Sequence, residues 1–319
     1  MSGDQHQKSN AARLVRTCSI WRALDVLGDV PTLLILESIW LGDLRFSAIR
    51  ERTCLSRPLV TERLKSLVGR GVLQRHQYCD KPPRHEYRLT EMGRDLFPVT
   101  MMLLRWEKSW SARRASLDME LTHHSCEQAI IPQPLCSHCR EVVKPQDIDW
   151  REGPGLAMVE PEYTRRRAHR NRQAIAQNLS LFTDSAELLG DRWAGLAMRA
   201  IFTGLNRFDE ILDDSGMASN ILSDRLAWLV EHGFLKARMY QTSPNRFAYT
   251  ATAKSLDYLP VLLMIQRWGD RYFGAEEGPP VLLTHTLCGA ELEVYAGCGS
   301  CSEELLLPDV TIHLARSEG

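Results

Sequence analysis

The chain repeats itself. Shifted by 162 positions, the interval from Leu27 to Leu189, it matches itself without a gap over more than a hundred residues. Leu27-Gly28-Asp29 falls on Leu189-Gly190-Asp191, Arg45-Phe46 on Arg207-Phe208, and Arg63-Leu64 on Arg225-Leu226. Pro82 and Arg84 fall on Pro244 and Arg246, and Arg105-Trp106 on Arg267-Trp268. Cys126, Cys136 and Cys139 fall on Cys288, Cys298 and Cys301. A gapless self-match of this length means a tandem duplication, so two equivalent folding units must be accommodated and each copy arbitrates the other.

Within one unit the pattern is mostly helical. Ile20, Trp21, Leu24 and Leu27 recur at helical spacing and end at Gly28. Pro31 opens a second helix that ends at Gly42, and Phe46 to Arg52 makes a short third. Arg57 to Gly71 is the fourth, with Leu59, Val60, Leu64, Leu67 and Val68 as its apolar stripe and Ser56 as a candidate cap. The third helix, a tight turn and the fourth form a helix-turn-helix. Val72 to Gln77 and His85 to Leu89 then read as a hairpin around Asp80-Lys81-Pro82-Pro83, with Thr90 capping a long helix from Met92 to Arg114.

The expected fold is mainly α with small β wings: two winged helix-turn-helix units, each followed by a small zinc-ribbon-like β element. The boundaries are a flexible tail at 1–17, units at 18–114 and 180–276, Cys/His ribbons at 115–150 and 277–319, and a basic linker at 151–179. The linker carries Arg165-Arg166-Arg167, Arg170 and Arg172, which suits either a helix crossing phosphates or a solvated connector.

The run from Cys18-Ser19-Ile20 through Ala23-Leu24-Asp25-Val26-Leu27-Gly28-Asp29, then Thr32 to Leu36, Arg45 to Ile49, Thr61 to Leu64 and Tyr87 to Thr90 resembles the HxlR family of bacterial winged helix-turn-helix regulators. The resemblance covers about 18–114 and again about 181–273. It implies DNA binding with the fourth helix in the major groove and pairing through the terminal helices. Family members usually carry one unit and form homodimers. This chain carries two, so a homodimer and an intramolecular pseudo-dimer are both open.

Arg57, Thr61, Arg63 and Lys65 on the fourth helix are the candidate contacts to bases or phosphates, with Lys81 and Arg84 on the wing. Their counterparts in the second copy are Ser219, Asn220, Arg225 and Arg246. The second reading helix also carries Asp224 and Glu231, so the first unit is expected to bind more strongly, and the second is either a weaker reader or a scaffold. Arg63 and Arg225 recur in both copies, which fits a DNA contact or a structural ion pair equally.

Each long helix is followed by His-x2-Cys-x9-Cys-x2-Cys: His123, Cys126, Cys136 and Cys139, then His285, Cys288, Cys298 and Cys301. Three thiolates and one imidazole suit tetrahedral zinc, and four protein ligands close the shell, so the expected metal is structural. Reduced buried cysteines in a small hairpin are the plain alternative. The resemblance also implies that a cysteine near Cys18 senses oxidants or electrophiles; buried packing is the commoner fate of a free cysteine.

Formal net charge is −1, so any nucleic-acid affinity must come from local patches rather than a global field. No run of 18 or more apolar residues and no signal pattern appears, and a cytoplasmic location is expected. No nucleophile–base constellation or phosphate-binding glycine loop is found, so an enzyme is not expected. The leading expectation is a sequence-specific transcriptional regulator on double-stranded DNA, a repressor reading paired half-sites about one helical turn apart. A protein-interaction scaffold with weak DNA binding is the alternative. Trp106, Trp110 and Trp268 on the long helices fit an effector cavity or ordinary core packing.

Overall fold

A computed structural model describes residues 15–112, 119–160, 181 and 183–314. Most of the tail and the arginine cluster from Arg165 to Arg172 lie outside the described residues. After a short strand β1 (Val15–Arg16), the first unit runs α1 (Ser19–Leu27), α2 (Val30–Trp40), α3 (Phe46–Thr53), α4 (Arg57–Gly69), β2 (Leu73–Cys79), β3 (Arg84–Leu89), α5 (Glu91–Arg94) and α6 (Phe97–Trp110). The second repeats it as α7 (Thr183–Leu189), α8 (Arg192–Phe202), α9 (Phe208–Ser215), α10 (Ser219–Glu231), β9 (Leu235–Thr242), β10 (Asn245–Ala251), α11 (Ala253–Leu256) and α12 (Leu259–Phe273).

The local chemistry explains each element. Asp29 caps α2 by accepting from the Thr32 amide at 2.9 Å, and Pro31 occupies the first turn, where its missing N–H is no loss. Every residue from Thr32 to Ile39 is buried, so α2 is the central helix of its unit. The turn into α4 is left-handed at Cys54 (φ 51°), where the second copy uses Gly216 (φ 62°). Helix α4 buries Val60, Leu64 and Leu67. Ser56 stands at its N-cap position, but its side chain makes no capping bond. The expected single helix from Met92 to Arg114 is instead two, α5 and α6, with a break at Asp95–Leu96. Pro98 has no amide to continue the helical ladder, and Pro260 repeats the break between α11 and α12.

The two units exchange parts. Helix α1 of the first unit packs on α12 of the second: the Ser19 hydroxyl donates to Asp270, and Arg22 donates to the Phe273 carbonyl at 2.6 Å. Gly269 permits this approach, because a Cβ there would lie 2.3 Å from the Ser19 carbonyl oxygen. Helix α7 in turn packs on α6, where the buried Glu107 carboxylate accepts from the amides of Asp184 (3.1 Å) and Ser185 (2.9 Å). Burial pushes the Glu107 carboxyl above the usual carboxylate range, against the pull of those two amides.

Two indole bonds are reciprocal. Trp106 donates to the Lys254 carbonyl and Trp268 to the Met92 carbonyl, both at 2.9 Å. Donors and acceptors are each other's equivalents in the two repeats, which is the self-complementary pattern of a two-fold interface made within one chain. Trp106 is fully buried and stacks on Phe234, Trp110 donates to Asp257, and Trp268 is buried too, so core packing accounts for these rings.

The β elements are exchanged as well, which corrects the expected layout of one self-contained ribbon per unit. Strand β4 (Met119–His123) pairs with the short β5 (Gln128–Ala129) and, on its other edge, with β13 (Val310–Leu314). β6 (Pro132–Cys136) pairs with β12 (Val294–Cys298), and β7 (Ile148–Glu152) with β11 (Val281–His285). β8 (Met158–Val159) returns to β1. The start of the segment expected as linker, up to Val159, therefore contributes to strands.

Candidate nucleic-acid interface and metal clasp

The eight ligand candidates gather into two sets, but not the sets expected from sequence order. One is His123, Cys126, Cys298 and Cys301; the other is Cys136, Cys139, His285 and Cys288. Each set takes its His-x2-Cys pair from one repeat and its Cys-x2-Cys pair from the other. The antiparallel β6–β12 ladder produces the crossing. Its register sets Cys136 opposite Val294 and Cys298 opposite Pro132, so the two Cys-x2-Cys turns lie at opposite ends of the ladder, each toward the other repeat's histidine turn.

All four turns are built alike. His123, Cys136, His285 and Cys298 each end a strand, and each carbonyl accepts from the amide four residues on, at 2.8–2.9 Å. The residue after the second ligand of each turn is left-handed: Glu127, Arg140, Gly289 and Ser302, with φ between 55° and 70°. Three of these are not glycine, so the turn holds a conformation that an L residue adopts only at some cost.

The donor geometry fits a tetrahedral metal. Zn–S and Zn–N bonds of about 2.3 and 2.0–2.1 Å give tetrahedral edges of roughly 3.8 Å for S···S and 3.5 Å for S···N. Cys126 Sγ lies 3.5 Å from His123 Nδ1 and 3.7 Å from Cys298 Sγ, with Cys301 Sγ 3.4 Å from the same nitrogen. In the second set His285 Nδ1 lies 3.3 Å from Cys139 Sγ and 3.4 Å from Cys288 Sγ, and Cys136 Sγ is 4.0 Å from Cys288 Sγ. The thiols are unequal. Burial raises Cys136 and Cys298, yet amide donors from their own turns and neighbouring thiols outweigh it and leave both below the ordinary value. Burial and the adjoining sulfurs push Cys301 up to about 11. Crowded thiols in one shell share charge poorly without a cation, which is what a metal would supply.

The outward face of α4 carries Arg57, Pro58, Thr61, Glu62 and Lys65, all exposed. Lys81 and Arg84 are exposed on the wing, and Ser219, Asn220 and Arg246 are exposed in the second unit. Arg63 is turned inward: its Nε lies 3.0 Å from the Asp29 carboxylate, and its side chain is 12% exposed. Arg225 repeats this at 2.5 Å from Asp191, which caps α8. Both arginines thus tie the reading helix to the N-cap of the central helix, the ion-pair alternative of the two that sequence left open.

Residues not singled out from sequence add to this face. Arg45 is exposed and lies over the Tyr78 ring at 4.6 Å, joining the start of α3 to the wing, and Arg207 lies over Tyr240 at 5.2 Å. The repeat offset pairs Arg45 with Arg207 and Tyr78 with Tyr240, so the coincidence was readable. Cys18 is buried at the N-cap of α1, beside the Arg199 guanidinium that pairs with Asp214. These residues wall a cavity of about 310 Å³ with Trp21 and Leu196. No helix among the described residues is long and apolar enough to cross a membrane.

Comparison with known proteins agrees with this architecture. The HxlR-like helix-turn-helix family matches residues 26–115 and again 188–277. An uncharacterized HTH-type transcriptional regulator of Mycobacterium tuberculosis is 37% identical over 138 residues, 43% of this chain and 87% of its own. Others so described, from Methanothermobacter thermautotrophicus and Bacillus subtilis, are 33% and 30% identical over 98 and 105 residues, covering 30% and 32% of this chain and 75% and 83% of their own.

Proposed function

The chain belongs to the HxlR-like helix-turn-helix family of transcriptional regulators, and on that premise we propose that it works as an intramolecular pseudo-dimer that represses by occupying DNA. It is a DNA-binding regulator and not an enzyme. The observation that carries the finer reading is the outward face of α4, where Arg57 and Lys65 stand exposed beside Thr61 on a helix whose apolar side is fully engaged. Lys81, Arg84 and Arg45 flank it for phosphate. Ser219, Asn220 and Arg246 are the second unit's contacts. Occupancy of a promoter is by itself sufficient for repression.

The clasp metal is zinc in this reading. His123, Cys126, Cys298 and Cys301 would hold one ion and Cys136, Cys139, His285 and Cys288 the other, four soft or borderline donors each with no place left for substrate. Bound there, a metal would cross-link the two repeats. Cys18 would be the thiol through which an oxidant or electrophile acts, since it sits where α1 meets the second unit; alkylation should then weaken DNA binding of the wild type and leave Cys18→Ser unchanged.

The test is binding to DNA from upstream of the gene and to random DNA, across a salt series, with Arg57→Ala and Lys65→Ala in parallel. Preference for the upstream DNA and a steep salt slope, reduced by about one ion for each cation removed, is the expected result. Equal, salt-insensitive binding unaffected by either substitution would overturn it in favour of a protein-interaction scaffold.

A further inference from the structure

We infer that this chain recognises a non-palindromic operator made of two unlike half-sites, so that it sits on DNA in one orientation only. The inference rests on the proposal that α4 and α10 read DNA, and it says what they read.

The outward faces of α4 and α10 share little. The charged residue common to the two helices is the arginine at Arg63 and Arg225, and in both copies it is held by the cap of the central helix. What remains outward is Arg57, Pro58, Thr61, Glu62 and Lys65 in α4, against Ser219, Asn220, Ser223, Asp224 and Ala227 in α10, all exposed. Thr61 and Ser223 keep a hydroxyl, and Glu62 and Asp224 keep a carboxylate. The other three positions differ in kind. Arg57 offers a fork suited to guanine O6 and N7, and Lys65 a second cation. At the same places stand Ser219 and Ala227, and Pro58 is replaced by Asn220, an amide suited to adenine N6 and N7.

The phosphate-facing parts are more alike. Arg84 and Arg246 recur on the wings, and so do the Arg45–Tyr78 and Arg207–Tyr240 pairs that brace them. Contacts to phosphate position a protein, and contacts to base edges specify sequence. The duplication has therefore kept the means of docking on two half-sites and altered the means of reading them. The reciprocal Trp106 and Trp268 bonds fix the repeats in a two-fold relation, so the half-sites face each other as in a palindrome while their bases differ.

Selection of bound duplexes from a random pool by the intact protein tests this, followed by the same selection with α10 given the outward set of α4 (Ser219→Arg, Asn220→Pro, Ser223→Thr, Asp224→Glu, Ala227→Lys). The wild type should enrich two dissimilar half-sites in fixed order, and the exchanged variant an inverted repeat of the first. Asn220→Ala should weaken binding on the order of tenfold by relaxing the second half-site alone, and Arg57→Ala by relaxing the first. Since all these positions are exposed, metal content and melting temperature should stay at wild-type values. A palindromic consensus from the wild type, or a single half-site with no preference beside it, would overturn the inference and leave the regulator standing. No enrichment from any pool would overturn both.

Discussion

The metal clasp and the reading helices have fared differently in the same duplication. All eight ligands are matched residue for residue between repeats, and their four turns share one backbone conformation. None of the five outward positions of the reading helices is matched. The difference follows from what each residue must satisfy. Each crossed site draws ligands from both copies, so a change in either copy breaks a shell completed by the other. An outward side chain on α4 makes only local contacts, Glu62 to Arg63 and Arg57 over the Phe46 ring, so such positions can change with little disturbance of the fold.

The largest effect should come from breaking the clasp, and pairs of substitutions can separate the crossed arrangement from the uncrossed one. Cys126→Ser with Cys298→Ser strikes a single crossed site and should leave one metal ion per chain. Cys126→Ser with Cys136→Ser strikes both and should leave none, with a melting temperature lower by roughly 10 °C or more, given several kcal/mol per structural metal. Metal analysis of purified protein with a thermal scan would decide it; the opposite stoichiometries would mean that each repeat keeps its own site.

The reading face comes next. Arg57→Ala should weaken binding to the selected DNA by about 1–3 kcal/mol, against under about 0.5 kcal/mol for Ser219→Ala, as measured by titration at fixed salt. Equal losses would erase the asymmetry between the two units. Arg63→Ala sharpens the contrast from the other side. It should destabilise the fold by about 1–3 kcal/mol in denaturant unfolding, because the Asp29 carboxylate loses its cation and keeps only its bonds from Thr32, and leave the salt slope of DNA binding unchanged. The smallest effect is expected at the pseudo-two-fold contacts, where Trp106→Phe and Trp268→Phe keep most of the ring and lose one hydrogen bond, about 1 kcal/mol each by the same measurement.

Much of this was legible in the residues. The repeat, the helix-turn-helix and the wings follow from spacing and punctuation, and the self-match even singles out which histidine is the ligand candidate, since His124 and His138 have no counterparts in the second copy. The crossing was not legible. Identical ligand pairs occur in both repeats, and spacing along the chain cannot say which copy of a pair completes a shell; that depends on the β6–β12 register. The inward turn of Arg63 was equally hidden. Its position beside the apolar stripe allows either direction, and only the proximity of Asp29, distant in sequence, decides. The break in the long helix coincides with Pro98, and the apolar pattern that continues on either side conceals it.

The packing of α1 on α12 has a consequence for the ribosome. The groups joined by the Ser19–Asp270 bond are 251 residues apart. At about 5–20 residues per second, α1 emerges on the order of ten to fifty seconds before the helix that covers it. Through that interval the face of α1 that α12 covers, and the part of α6 that meets α7 and α12, wait for their partners. This nascent chain waits for its own second half. Synthesis of this protein should therefore depend on holdase chaperones, and a pause or premature stop after the first repeat should be a route to aggregation.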